Sequence, residues 1–200
     1  MLNNFLASLP FMTETRADML ISAFWPMVKA GFAVSLPLAI ASFVIGMIIA
    51  VAVALVRIMP SVGIFQKCLL KLVEFYISVI RGTPLLVQLV IVFYGLPSVG
   101  IYIDPIPAAI IGFSLNVGAY ASETIRAAIL SVPKGQWEAG FSIGMTYMQT
   151  FRRIVAPQAF RVAVPPLSNE FIGLFKNTPL AAVVTVTELF RVAQETANRT

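Results

Sequence analysis

The chain has 200 residues, of which 58% are hydrophobic and 12% are charged. The charged share is about half of the ~25% that soluble domains carry, and the mean hydropathy is +0.88. The 14 basic and nine acidic residues are too few to cover the water-exposed surface of a soluble protein. A soluble enzyme, a disordered tail and a nucleic-acid-binding domain are therefore excluded. The chain has no histidine and one cysteine, so we expect no metal site, no internal disulfide and no cofactor.

Long runs with few charges predict an all-α membrane protein with four spans. A helix needs about 20 mostly apolar residues to cross a hydrocarbon core of ~30 Å. The predicted spans cover residues 30–56, 82–103, 105–122 and 165–187. The third reaches full length only if its helix continues through Glu123 and Arg126, and the fourth contains Glu170 and Lys176. We expect an N-terminal lead-in over residues 1–28, lying at the periplasmic face of the membrane. A transmembrane domain follows over 29–191, and a short C-terminal end over 192–200.

The basic residues are distributed unequally between the two sides of these spans. Segments 57–71 and 126–161 together hold eight Lys and Arg, against four on the opposite side. Because basic loops stay in the cytoplasm, both segments are predicted to be cytoplasmic and both chain ends to lie outside.

Between the first two spans, apolar residues recur at helical spacing from Ile64 to Val79, and charges lie on the other face. This pattern predicts an amphipathic helix along the cytoplasmic boundary. Pro84 lacks a backbone donor and clashes with the preceding turn, so we expect a kink at residues 81–84 where the chain enters the membrane.

The long cytoplasmic loop, at about residues 127–161, predicts two short helices joined by a tight turn. Ser131 is expected to cap the first helix, and Gly144 suits the left-handed position that ends it. Thr146 and Gln149 form a capping box for the second helix, which is predicted to stop near Pro157.

This loop resembles the EAA loop of permeases from ATP-binding-cassette (ABC) importers. The matching residues are Glu138, Ala139, Gly144, Ile154 and Pro157. Two positions depart from the family pattern, because Gly140 replaces the second alanine and Ala156 replaces a leucine. The resemblance implies that the loop docks the ATPase, with Glu138 as a contact. Without the resemblance, a solvated helix face is the better explanation of Glu138.

Further segments resemble permeases for polar amino acids, and the resemblance covers about residues 28–200. These segments are 81–88, 118–126 and 134–139, whereas 104–107 and 165–169 are most similar to L-cystine permeases. The resemblance implies a type I importer permease fold of the MetI-like kind. Permeases of this family usually have five spans, so we expect the last helix, after residues 187–191, to be missing.

The resemblance also implies partners in a bacterial inner membrane. They are two ATPase subunits, a solute-binding protein outside, and a second permease copy or a sister permease, all assembled in lipid. The chain has no Gly-x-x-x-x-Gly-Lys-Ser/Thr motif, so ATP hydrolysis is expected on a separate chain. The alternative function is a truncated, non-transporting chain or an accessory membrane scaffold.

Four polar residues are candidates for the solute path: Lys176, Asn177, Thr178 and Arg81. A charge inside a bilayer costs about 2.5 to 3.5 kcal/mol, so Lys176 should face protein or water. It could equally form a structural pair with Glu170 or another buried acid. Arg81 could equally anchor the membrane boundary. Glu123 and Arg126, three positions apart, are predicted to pair with each other.

Overall fold

The structure is a computed structural model that describes residues 14–58 and 63–197, and its regular structure there is helical. The helices are α1 (Glu14–Ala30), α2 (Leu36–Ile58), α3 (Ile64–Gly82), α4 (Leu85–Val90), α5 (Pro105–Leu130), α6 (Lys134–Ser142), α7 (Tyr147–Thr150), α8 (Ala156–Lys176) and α9 (Leu189–Ala197). Wider π-helical turns lie at Gly31–Ser35, Ile91–Gly95 and Phe151–Val155, and 3₁₀ segments lie at Leu96–Val99 and Thr178–Val184.

The first predicted span is confirmed as a helix. Helices α1 and α2 join through the π-turn, and residues Ile21–Ile58 within them are long and apolar enough to cross a membrane. Residues 14–28 of the expected lead-in are therefore helical and continuous with this span. Residues 1–13 of the lead-in lie outside the described residues.

The predicted kink at residues 81–84 is confirmed, and a helical path over Leu85–Val99 follows it within the second predicted span. Helix α3 ends at Gly82, and the stretch Leu85–Val99 leaves the break at an angle of 110°. Thr83 is extended (φ −121°, ψ 145°) because the following proline excludes the helical conformation there. Only when taken together do α3 and Leu85–Val99 have the length and hydropathy of a span. The four-span topology stays a prediction.

The core is built around α2 and α5, which approach closely through small residues. A Cβ added to Gly46 would lie 2.6 Å from Val117, and one added to Gly118 would lie 2.7 Å from Ile49. Ala39 and Ala50 are fully buried. Small side chains let helix backbones approach, which is how helices pack where lipid removes the hydrophobic driving force between them.

Helix α8 contradicts one expectation. The predicted stop near Pro157 is wrong, because the helical path continues from Tyr147 to Lys176. In the π-turn before it, the Ala156 N–H donates to the Phe151 carbonyl five residues back. This wider turn shifts the hydrogen-bond register just before Pro157, which has no N–H to donate. The helix can therefore continue through the proline. The helix that carries most of the predicted fourth span begins at Ala156 and ends at Lys176.

The C-terminal segment returns to the first helix. Leu189 packs on Gly31, where an added Cβ would lie 2.7 Å from its side chain, and the Leu189 N–H donates to Ser35 Oγ at 3.2 Å. The fully buried Glu188 accepts from the backbone N–H groups of Phe190 and Arg191, both at 2.7 Å, and caps α9. Helix α9 thus crosses the expected boundary at residue 192. Residues 198–200 lie outside the described part.

Candidate functional site

The turn between α6 and α7 has the geometry that its glycine predicts. Gly144 has φ +79°, the left-handed conformation that side chains with a Cβ rarely adopt. The Met145 N–H donates to the Gly140 carbonyl and the Gly144 N–H donates to the Phe141 carbonyl, both at 3.0 Å. This pair of bonds is a Schellman motif, which reverses the chain within a few residues.

One predicted cap is confirmed and the other is wrong. Thr146 Oγ1 accepts from the Gln149 N–H at 3.3 Å, and the Thr146 N–H donates to Gln149 Oε1 at 2.9 Å. Ser131 does not start α6. It closes α5, because that helix continues through Leu130 and the Ser131 hydroxyl donates back to the Ala128 carbonyl at 2.8 Å. Pro133 takes the N-cap position of α6 instead.

Gly140, which departs from the family pattern, meets Thr150 of α7. An added Cβ would lie 2.5 Å from Thr150 Cγ2 and 2.7 Å from its Oγ1. Thr150 is fully buried, and its hydroxyl has no hydrogen-bond partner among the described residues. The threonine side chain therefore fills the space that an alanine at position 140 would need.

An aromatic cluster holds α6 against α7. The Trp137 ring stacks on Tyr147 with centroids 5.0 Å apart, and its centroid lies 6.2 Å from that of Phe151 and 6.4 Å from that of Phe141. Such contacts contribute about 0.5–1.5 kcal/mol each beyond the burial of area. Sequence reasoning missed this cluster. Its signal was four aromatic residues placed on both sides of a glycine turn.

The tip of this helix–turn–helix, residues 134–150, exposes apolar side chains. Ile143 is 72% exposed and Met148 is 51% exposed. Glu138 and Ala139 are exposed on α6. Exposed apolar residues grouped at one turn are typical of a surface that another protein covers.

The other two residues of the predicted coupling set lie beyond the tip. Ile154 is half-buried in the π-turn, and Pro157 is exposed at the start of α8. The Gln158 amide donates to the Ile154 carbonyl at 2.9 Å and to Gln136 Oε1 of α6 at 3.1 Å, so α8 and α6 are linked directly.

An ion cluster fixes α5 to α2 before the chain enters the loop. Arg126 donates to Glu123 Oε1 from Nη2 at 2.5 Å and from Nε at 3.2 Å, which confirms the predicted pair. Arg57, at the end of α2, donates to the other carboxylate oxygen, Oε2. The sequence did not indicate this third member, because 66 positions separate it from Glu123.

The candidate solute-path residues fall into two places. The Arg81 guanidinium lies 5.3 Å from the centroid of the Tyr120 ring of α5. Lys176 is exposed where α8 ends, and no ion pair joins it to Glu170 among the described residues.

Asn177 and Thr178 differ in exposure although they are adjacent. Asn177 is exposed and closes α8. Thr178 is buried, and its hydroxyl donates to the Phe175 carbonyl at 2.9 Å. Thr178 therefore has a structural partner, whereas the Lys176 and Asn177 side chains are accessible.

The comparisons with known proteins agree with this arrangement. Residues 63–200 match the family described as binding-protein-dependent transport system inner membrane component. The chain is similar to the L-cystine transport system permease protein TcyB of Bacillus subtilis (strain 168), with 54% identity over 98% of this chain and 82% of that protein. It is also similar to TcyL, an L-cystine transport system permease protein of the same organism, with 40% identity over 88% of this chain and 75% of that one.

A solved structure has the same fold. The crystal structure of an amino acid ABC transporter with histidines matches with a TM-score of 0.79 and 35% identity, over 87% of this chain and 79% of that one. The similar proteins are permease subunits, and the chain is a transport subunit rather than an enzyme. It belongs to the family of inner membrane components of binding-protein-dependent transport systems.

Proposed function

We propose that this permease forms the membrane path for a polar amino acid in an ABC importer, and that L-cystine is the solute. The observation that carries the proposal is the 54% identity with an L-cystine permease over 98% of the chain. The 23 charged residues and mean hydropathy of +0.88 suit a multi-pass protein of a bacterial cytoplasmic membrane.

The helix–turn–helix is the contact for the ATPase in this proposal. Its support is geometric, because a rigid turn at Gly144 presents exposed apolar side chains beside the exposed Glu138. The Trp137 stacking and the Gln158 bonds join the turn to α8, so a displacement of the turn would be transmitted along that helix. Glu138, Ala139, Gly144, Ile154 and Pro157 are the residues assigned to coupling.

The remaining partners follow from the same proposal. A solute-binding protein delivers the amino acid from outside, and a second copy or a sister permease completes the path. Arg81, Lys176 and Asn177 are exposed in the single chain, so they are available to a path that forms between two permeases. Thr178 belongs to the path only through the backbone beside it, since its hydroxyl is already bonded.

Reconstitution tests the proposal. The chain is co-expressed with an ATPase and a solute-binding protein of an amino-acid ABC importer and placed in proteoliposomes. We expect ATP-dependent uptake of labelled L-cystine, and ATPase activity that rises only when the binding protein is loaded. Stable assembly with no uptake of L-cystine, glutamine or arginine would overturn the transport assignment. Uptake of arginine but not L-cystine would overturn only the choice of solute.

A further inference from the structure

The break between α3 and α4 leaves backbone oxygens without their helical partners. In a continuous helix the Ile80 carbonyl would accept from residue 84, but that residue is a proline and has no N–H. The Thr83 carbonyl also loses its partner, because the Val87 N–H donates to the Pro84 carbonyl at 3.0 Å. Leaving such a group without a partner is costly where water is excluded, so another donor is needed there.

One buried side chain satisfies both oxygens. Gln88, only 7% exposed, donates from Nε2 to the Ile80 carbonyl at 2.7 Å and to the Thr83 carbonyl at 3.0 Å. It also lies 3.1 Å from Thr83 Oγ1, whose own proton goes to the Val79 carbonyl at 2.8 Å. Two carbonyl oxygens require a donor, so the amide nitrogen must face them.

The other end of this amide reaches the central helix. Gln88 Oε1 accepts from Asn116 Nδ2 of α5 at 3.1 Å. Tyr120, under the Arg81 guanidinium, lies one helical turn after Asn116. Residues four apart share a helix face. The Gln88–Asn116 hydrogen bond and the Arg81–Tyr120 contact therefore lie on one side of α5.

We propose that Gln88 is a positioning residue for the solute path: its amide replaces the hydrogen bonds that Pro84 removes, fixes the 110° break against Asn116, and so holds Arg81 over Tyr120. This inference rests on the proposed function, in which Arg81 belongs to the path. Without the amide donor, the segment would sample other bend angles to satisfy its carbonyl groups. Only a fraction of molecules would then hold Arg81 correctly, and the apparent affinity for solute would fall by that fraction.

The test uses the whole transporter in proteoliposomes and the variant Gln88→Met, which keeps the size and removes the amide. Spin labels replace Phe75 and Val99, two exposed residues on either side of the break, in a Cys68→Ser background. We expect one narrow distance in the parent protein and a broad distribution in Gln88→Met. In an uptake assay with L-cystine we expect KM to rise about tenfold, about 1.4 kcal/mol, with the maximal rate within about twofold.

Val87→Met is the matched control, because Val87 is 40% exposed on the same helix and should leave both measurements unchanged. If Gln88→Met does not accumulate, Asn116→Leu is measured in the same way. It leaves the amide donors in place and removes only the bond to α5, so a KM increase of about threefold is expected.

The outcomes separate this inference from the proposed function. A parent protein without uptake refutes the proposed function, and the spin-label distances then decide whether Gln88 fixes the break. A narrow distance in Gln88→Met refutes the positioning role, whether KM is unchanged or raised. A broad distance with the parent KM refutes the link between the break and the solute path.

Discussion

Replacing Gly140 by alanine tests whether Thr150 determines how closely α6 and α7 approach. The substitution restores the family's usual residue, so the resemblance alone predicts no harm. The structure predicts the opposite, because the new Cβ would lie 2.5 Å from Thr150 Cγ2 and 2.7 Å from Oγ1. Carbon atoms in contact are normally about 3.5–4.0 Å apart, so the overlap is about 1 Å.

Two opposing terms give the magnitude. Thr150 is β-branched and stiff at χ1, so it cannot swing away freely, and overpacking of this kind costs about 1–3 kcal/mol. Alanine in a helix interior gains about 1 kcal/mol over glycine. The net expected loss is therefore about 0–2 kcal/mol. Adding Thr150→Ala removes both close atoms and a buried hydroxyl without a partner. Because it removes the overlap and keeps the helix gain, the double variant should be at least as stable as the parent protein.

Trp137 fluorescence measures this effect, because the ring stacks on Tyr147 across the turn. The parent is a Trp25→Phe protein, in which Trp137 is the remaining tryptophan. A change of 1 kcal/mol shifts the midpoint of thermal unfolding by about 2–4 °C for a chain of this size. Gly135→Ala is the matched control on the same helix. Its added Cβ meets nothing within 4 Å, so it should stabilise or leave the midpoint unchanged.

Two results would refute this explanation of the Gly140 departure. The first is a Gly140→Ala midpoint that rises as much as that of Gly135→Ala. The second is a loss in Gly140→Ala that Thr150→Ala does not restore. In either case the space at position 140 is not set by the threonine.

Three further experiments test other parts of the structure. Gly144→Val places a β-branched residue at φ +79°, at a cost of about 1 kcal/mol or more. It should leave membrane insertion intact but abolish both co-purification of the ATPase and uptake. Retention of both would show that the turn does not couple the ATPase to transport. Single cysteines are placed at Gln149 and at Ser98, both exposed, in a background without the native cysteine. The cysteine at 149 should be labelled only from the cytoplasm, and the cysteine at 98 only from outside. Labelling of both from one side would contradict the topology. Glu123→Gln leaves Arg57 with a weaker partner and should lower stability by about 1–2 kcal/mol in a denaturation assay; an unchanged midpoint would mean that the cluster does not hold α5 to α2.

The sequence determined the features that depend on a few adjacent residues. The break at Pro84 follows from a missing N–H, and the turn at Gly144 follows from the absence of a Cβ. The box formed by Thr146 and Gln149 needs two side chains three positions apart. Each of these involves interactions within about one helical turn, so no knowledge of the rest of the chain was required.

Local rules gave wrong results where another backbone arrangement was available. Pro157 was expected to end a helix, but the π-turn Phe151–Val155 shifts the hydrogen-bond register and the helix continues. Ser131 was expected to begin α6, but its hydroxyl bonds to the preceding helix. A single sequence does not distinguish these cases, because the same residue types fit both ends of a helix.

Only the tertiary structure decided which distant residues meet. Glu123 could be paired with Arg126 from spacing alone, but Arg57 is 66 positions away and reaches it because α2 packs along α5. By sequence, Gly140 is only a departure from the family pattern, but in the structure the Thr150 side chain occupies the space that a Cβ at position 140 would need. By sequence, Gln88 is only a member of the 81–88 motif, but the helix break brings its amide to within 2.7 Å of the Ile80 carbonyl. Packing brings these groups together, and hydropathy and spacing carry no information about which residues it will join.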